Sequence, residues 1–117
     1  MWYIKNGEVI FNSAVVTGSP GRDTPAGVFE ILTKKRDKIL RGNIDPVTGE
    51  REYETPVDYW ARITWSGVGF HDATWQSSFG GSRYLTNGSH GCVNMPKNKA
   101  AELYSLIPER CPVICHY

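Results

Sequence analysis

Gly88-Ser89-His90-Gly91-Cys92-Val93-Asn94-Met95-Pro96 is the stretch from which the rest of the chain is read. It sets a thiol between a histidine two residues before it and an asparagine two residues after it. A cysteine nucleophile needs a partner that takes its proton, N–H donors for the oxyanion, and room for a substrate carbonyl. Gly88 and Gly91 lack a Cβ and let an acyl group approach the main chain closely. The N–H groups of Gly91 and Cys92 are therefore the expected oxyanion donors. A buried cysteine in a glycine-rich turn is the plainer alternative, because free cysteine is commonly an inert core residue. Histidine, glycine, cysteine and asparagine packed this closely favour the nucleophile.

A nucleophile and its base are usually neighbours in space and not in sequence. The chain has three histidines, His71, His90 and His116. His90 shares a local segment with Cys92, where same-face Cβ atoms stand about 7 Å apart and side chains run parallel. A base arriving from a separate strand aims its ring at sulfur more directly, and Ser66 to Asp72 has β character. His71 is thus the expected base, with His90 shaping the loop and oxyanion region. Alternation along an extended segment turns Asp72 away from His71, and we expect it to face solvent. Residues 72–88 connect the two segments without periodicity, as functional loops do. Trp75, Phe79 and Tyr84 within them are candidates for the wall of a substrate groove.

Working outward, 117 residues are enough for one domain with its own core. A formal net charge of +1 offers no attraction for a polyanion, so no nucleic-acid partner is expected. Abundant aromatics, glycine and proline suit a mainly β domain with many turns. Asn6-Gly7 between Trp2–Lys5 and Glu8–Val16 is a strong hairpin signal. Further strands are expected over Gly27–Thr33, Val57–Trp65 and Val113–Cys115. Lys34, Lys35, Arg36, Lys38 and Arg41 form a basic cluster, read as a solvated face. Residues 42–56 form an acidic loop with a turn at Asp45 to Glu50. Pro96 to Ile107 is the one convincing helix: Pro96 suits its first turn, Pro108 stops it, and Ala100, Leu103, Leu106 and Ile107 give an apolar face.

Three cysteines leave one unpaired, and Cys111 and Cys115 in a strand lie about 13 Å apart, too far for a disulfide. His90-x-Cys92 has no second ligand pair, so neither a metal nor a cofactor is expected. The sequence carries no signal peptide and no transmembrane run.

His71, the gap, and Ser89-His90-Gly91-Cys92-Val93-Asn94 together resemble the signature of L,D-transpeptidase catalytic domains, the YkuD-type family. Gly69-Phe70, Met95-Pro96, Thr17-Gly18 and Thr24-Pro25-Ala26-Gly27-Val28-Phe29 also fit its pattern. The resemblance implies a β-sandwich or barrel-like catalytic fold with one main helix after the cysteine motif. It implies Cys92 as nucleophile, His71 as base, His90 and Gly91 at the oxyanion region, and Ser89 and Asn94 holding the motif loop. The implied partners are peptidoglycan stem peptides, and carbapenem-type β-lactams as inhibitors. The implied reaction passes the acyl group of a tetrapeptide donor from sulfur to an acceptor amine, forming 3-3 cross-links or anchoring wall components. With water as acceptor the same site is an L,D-carboxypeptidase; an inactive wall-binding module would keep the fold but not His71, His90 and Cys92. Such enzymes work outside the cytoplasmic membrane, so we expect a C-terminal fragment of a longer exported protein.

Overall fold

The computed structural model describes residues 1–42, 44–51 and 53–116. In chain order the elements are β1 Trp2–Lys5, β2 Glu8–Asn12, β3 Gly27–Glu30, β4 Thr33–Arg41, β5 Glu54–Arg62, β6 Gly69–Asp72, α1 Arg83–Asn87, β7 Val93–Met95, α2 Lys97–Leu106 and β8 Pro112–Cys115. The mainly β architecture expected from the sequence is present. Strands β1 and β2 form the hairpin at Asn6-Gly7, where both residues are left-handed with φ of 52° and 79°. That geometry matches the twist of the flanking strands. A second antiparallel pair joins β3 to β8. The main sheet has the order β4-β5-β6-β7, antiparallel except for the parallel pair β6–β7.

Residues paired across strands share a face, so the register gives the main sheet two distinct sides. Lys34, Ala61, Phe70 and Val93 form a row on one side. Helix α2 covers this side: Tyr104 lies with its ring 5.5 Å from that of Tyr59, and Lys34 Nζ stands 4.5 Å above it. Ile31, Ala61, Ile63, Phe70, Val93, Met95, Ala100, Leu103 and Ile107 make the buried cluster together with Phe11 from β2. Lys35, Trp60, His71 and Asn94 form the corresponding row on the other side.

Several boundaries differ from the sequence reading, each for a tertiary reason. Strand β3 ends at Glu30, because Ile31 and Leu32 carry the chain across to the main sheet. Ile31 N–H donates to Cys111 O, and Leu32 N–H to Arg62 O. The basic cluster is the body of β4, a charged strand held by its ladder to β5. Strand β5 runs Glu54–Arg62, leaving Trp65 in an exposed turn. Strand β2 stops at Asn12, and Val16 pairs with Asn94 in an isolated bridge. Residues 72–88 include the short helix α1, which the sequence reading did not contain. Of the acidic loop expected over 42–56, Asn43 and Glu52 lie outside the described residues, and Asp45 anchors its turn through Val47 N–H. Helix α2 begins one residue after Pro96, and Ile107 N–H closes it on Leu103 O.

Gly69 marks where β6 presses closest to β5. A Cβ there would stand 2.4 Å from Ala61 O and 2.9 Å from the Trp60 ring. Gly69→Ala should therefore cost about 1–3 kcal/mol in urea unfolding, as forced overpacking does. Equal stability of the variant and the parent would contradict this packing.

Candidate active site

Two loops build the turn that carries Cys92. Residues 16–24 run beside it and hold it through the main chain. Val16 and Asn94 exchange both backbone bonds, at 2.9 and 2.8 Å. Ser89 N–H donates to Thr17 O, while Ser19 N–H and Oγ both donate to Ser89 O. Thr24 Oγ1 donates to Gly91 O at 2.7 Å and accepts from Gly18 N–H. A Cβ on Gly88 would fall inside the backbone of Ser19 across the contact, and one on Gly18 inside the backbone of Arg22 and Thr24 within its own loop. Gly91 sits at φ 127°, a conformation open to glycine.

Ser89 closes the turn on itself: its Oγ donates to Cys92 O and accepts the Gly91 N–H. This corrects one expectation. The Gly91 N–H is engaged within the loop, which leaves the Cys92 N–H as the remaining candidate of the two oxyanion donors. Asn94 holds the loop through its backbone bonds to Val16, while its side chain is buried with Oδ1 unpartnered among the described residues.

Parallel pairing sets Phe70 opposite Val93 and His71 opposite Asn94. Extending that register one residue sets Gly69 beside Cys92, so Cys92 and His71 project from one face on a diagonal. Adjacent strands about 4.8 Å apart, and two residues along one of them, give roughly 8 Å between the two Cα atoms. No hydrogen bond joins the two side chains among the described residues, so the pair meets only if a side chain turns toward its neighbour. Cys92 Sγ lies 3.5 Å from Gly67 O. His71 Nδ1 lies 2.8 Å from the Asp72 carbonyl, which only accepts, so Nδ1 carries the proton and Nε2 keeps its lone pair. The ring is held between Trp60, at 6.0 Å between centroids, and Trp75, at 5.8 Å.

Burial governs the protonation of both groups. It pushes the Cys92 thiol above its ordinary value, against the opposing pull of the Gly69 N–H and the Arg62 guanidinium. It pulls His71 below its ordinary value, against the Asp72 carbonyl and carboxylate. Both shifts favour the uncharged forms, a thiol and a neutral imidazole.

Asp72 does face away from His71, but not into solvent. The side opposite His71 is the one under α2, and Asp72 is 4 % exposed. Its carboxylate accepts Tyr59 N–H at 2.8 Å and Asp58 N–H at 3.0 Å, where the β5–β6 ladder has ended. Alternation was read correctly; the helix that covers that side was not visible in it. Of the groove candidates, Trp75 covers His71 while remaining 52 % exposed. Phe79 is half-buried, and Tyr84 lines a cavity of about 870 Å³ with Trp2, Ile31 and Leu103, away from His71. His90 is exposed, and its ring stacks on Tyr53 at 4.8 Å. That contact brings the far end of the β4–β5 hairpin to the motif loop. The sequence reading missed Arg62, Thr24 and Tyr53; Thr24 was present in the quoted motif, whereas the other two reach the site only through pairing and bending of the hairpin.

The sequence matches the YkuD family, the L,D-transpeptidase catalytic domain, over residues 1–115. L,D-transpeptidase 1 of Mycobacterium tuberculosis is 32% identical over 111 residues, covering 93% of this chain and 43% of that protein. A crystal structure of a mutant Enterococcus faecium L,D-transpeptidase superposes with a TM-score of 0.88 at 42% identity, covering 97% of this chain and 44% of that one. The catalytic domain of the E. faecium enzyme acylated by ertapenem superposes with a TM-score of 0.82 at 43% identity, covering 98% of this chain and 87% of that one. The chain thus spans less than half the length of the curated relative it matches.

Because the native imidazole resists protonation, an unfolded chain binds a proton near the ordinary histidine value of about 6.5 that the native chain refuses. The stability contributed by neutral His71 is present above that pH and is lost as pH falls from it through the lowered native value. Urea unfolding should show lower stability at pH 5.5 than at pH 7, and His71→Gln should reduce that difference. Alkylation of Cys92 by iodoacetamide, followed by peptide mass spectrometry, should rise in the alkaline range with no plateau below neutrality. A plateau of reactivity from pH 5 to 7 would show a preformed thiolate and overturn the neutral pair.

Proposed function

Since the chain belongs to the YkuD family of L,D-transpeptidase catalytic domains, we propose that it is a cysteine acyltransferase acting on peptidoglycan stem peptides. The observation that carries this reading is the His71–Cys92 arrangement on one sheet face, with Nδ1 of His71 fixed by the Asp72 carbonyl. Nε2 takes the Cys92 proton as sulfur bonds to the donor carbonyl carbon. The oxyanion that forms lies at the Cys92 N–H. As the tetrahedral centre collapses, the C–N bond breaks and imidazolium returns its proton to the departing amine. The product is a thioester on Cys92 and a free amino acid. An acceptor amine then attacks the thioester carbonyl, passes its proton to His71, and leaves as the new amide while sulfur regains a proton.

Thioesters favour aminolysis over hydrolysis more than oxygen esters do, which suits sulfur to cross-linking. The motif loop is braced by residues 16–24, which holds the nucleophile's backbone still. We place the reaction outside the cytoplasmic membrane, where the wall polymer lies. Carbapenems fit the same chemistry, because ring opening by the thiolate leaves an acyl group on sulfur.

Mass spectrometry of products from a defined tetrapeptide donor, with and without an acceptor amine, tests the reading. Loss of the terminal residue and appearance of the acceptor adduct are expected; release without adduct would assign a carboxypeptidase. Cys92→Ala and His71→Ala should abolish product, and ertapenem should form one adduct on the Cys92 peptide of the parent and none in Cys92→Ala. Cys111→Ser and Cys115→Ser should retain turnover, since both thiols lie at the β8 strand, away from the motif loop. A folded Cys111 or Cys115 variant as inactive as Cys92→Ala would refute the assignment.

Trp75 lies against His71 with half its surface open to a ligand. Trp75→Ala should raise the donor KM about three- to tenfold, the range of one aromatic contact, with a smaller change in melting temperature. An unchanged KM with a large fall in melting temperature would make Trp75 a packing residue only.

A further inference from the structure

The turn between β5 and β6 lies against the nucleophile. Gly67 O stands 3.5 Å from Cys92 Sγ, and Val68 Cγ2 lies 3.8 Å from where a Cβ on Gly91 would stand. Along β6 the order on this face is therefore the turn, then Cys92 beside Gly69, then His71, then Trp75 over the imidazole. Sulfur has the turn on one side and the base on the other.

The turn holds itself together without its aromatic residue. Gly67 N–H closes it on Thr64 O, Val68 N–H donates to Thr64 Oγ1, and the Thr64 and Ser66 hydroxyls bond at 2.7 Å. Trp65 is the residue after Thr64 in this β-turn, a position open to most residues and favoured by proline; the turn gains nothing from an indole. Yet Trp65 is 77 % exposed, the most exposed of the four tryptophans. Single surface aromatics are common, but this one stands at most about 7 Å, Cα to Cα, from the residue whose carbonyl touches sulfur. Gly67 itself is at φ 107°, and the space into which its Cβ would point is empty. An open lane therefore runs from the sulfur past Gly67, with Trp65 beside it.

We propose that this lane takes the acyl side of the donor, and that Trp65 is a specificity residue packing on an aliphatic side chain of the residue whose carbonyl sulfur attacks. This rests on the acyl-transfer reading above. The departing amine takes a proton from His71 and the acceptor amine gives one to it, so both nitrogens lie toward His71 and Trp75. The oxyanion lies at the Cys92 N–H. The remaining substituent of the tetrahedral carbon is the acyl residue itself, and it points away from His71, to the side where the turn is. That residue stays on sulfur between the two half-reactions, so its contact with Trp65 is kept while the amines on the His71 side exchange. Trp75 thus meets what leaves and what arrives, and Trp65 meets what is transferred.

Two measurements test it. The first compares kcat/KM for two tetrapeptide donors that differ only at the attacked residue, norleucine in one and alanine in the other. The parent should prefer norleucine about four- to fifteenfold, the range for one or two buried methylenes. Trp65→Ala should bring the ratio close to one, and Trp65→Phe should keep part of it, with little change of melting temperature in either. Trp2→Ala, which removes another widely exposed indole, should keep the parent ratio. The second needs no peptide: the nitrophenolate burst on acylation of Cys92 is compared for p-nitrophenyl hexanoate and p-nitrophenyl acetate, each relative to its rate with N-acetylcysteine. The parent should favour hexanoate, Trp65→Ala should lose that preference, and Cys92→Ala should show no burst. The peptide ratio decides: a parent indifferent to the attacked side chain, or a preference unchanged in Trp65→Ala, overturns the Trp65 assignment. If the parent cuts neither peptide, the acyl-transfer reading for stem peptides falls instead, and the ester ratio decides the Trp65 assignment in its place.

Discussion

The parallel pairing of β6 with β7 sets His71 opposite Asn94, and the geometry of the site follows from that register. Parallel neighbours cannot be joined by a tight turn, so residues 73–92 must cross over before β7 can begin. The crossover is what delivers Trp75 to the open side of His71 and brings the glycine-rich turn back alongside Gly69. Slipping the register by one residue would turn Cys92 and His71 to opposite faces. Two features pin it: the backbone exchange between Val16 and Asn94, and the close approach at Gly69 that admits no Cβ.

Helix α2 has two effects from one position. Its apolar residues Ala100 and Leu103 seal the side of the sheet away from the chemistry. The same covering places Asp72 in a buried setting, where its carboxylate takes the two N–H groups of β5 that β6 no longer pairs. Asp72 is thereby fixed at its side chain, and its carbonyl is the group that orients His71. Burial on the other side pulls the imidazole down and pushes the thiol up, each toward its neutral form.

The motif loop and the β4–β5 hairpin approach this site from opposite directions. One side is braced by Ser19, Thr24 and Ser89, hydroxyls that bond to backbone and leave little freedom in the turn. The other side is a charged strand pair that bends at Asp37 and reaches the loop through Tyr53 and His90.

The family was legible in the sequence, and with it Cys92 and His71 as the candidate nucleophile and base, because the motif around Cys92 and its glycines is a local requirement readable in order along the chain. The sequence also determined the Asn6-Gly7 hairpin and α2, where a turn dipeptide and a helical apolar period act over a few residues. Alternation correctly turned Asp72 away from His71. Which side of the sheet carries the helix, and so that Asp72 is buried, was decided only by tertiary packing, since a period of two names two faces without saying what covers either. The same holds for the charged strand β4, whose backbone pairing with β5 overrides a sequence that reads as solvated surface. The engagement of the Gly91 N–H by Ser89 and the reach of Tyr53 to His90 depend on how the backbone curves between distant residues. Contacts of that kind are set by the folded path of the chain, and no pattern of neighbours along the sequence contains them.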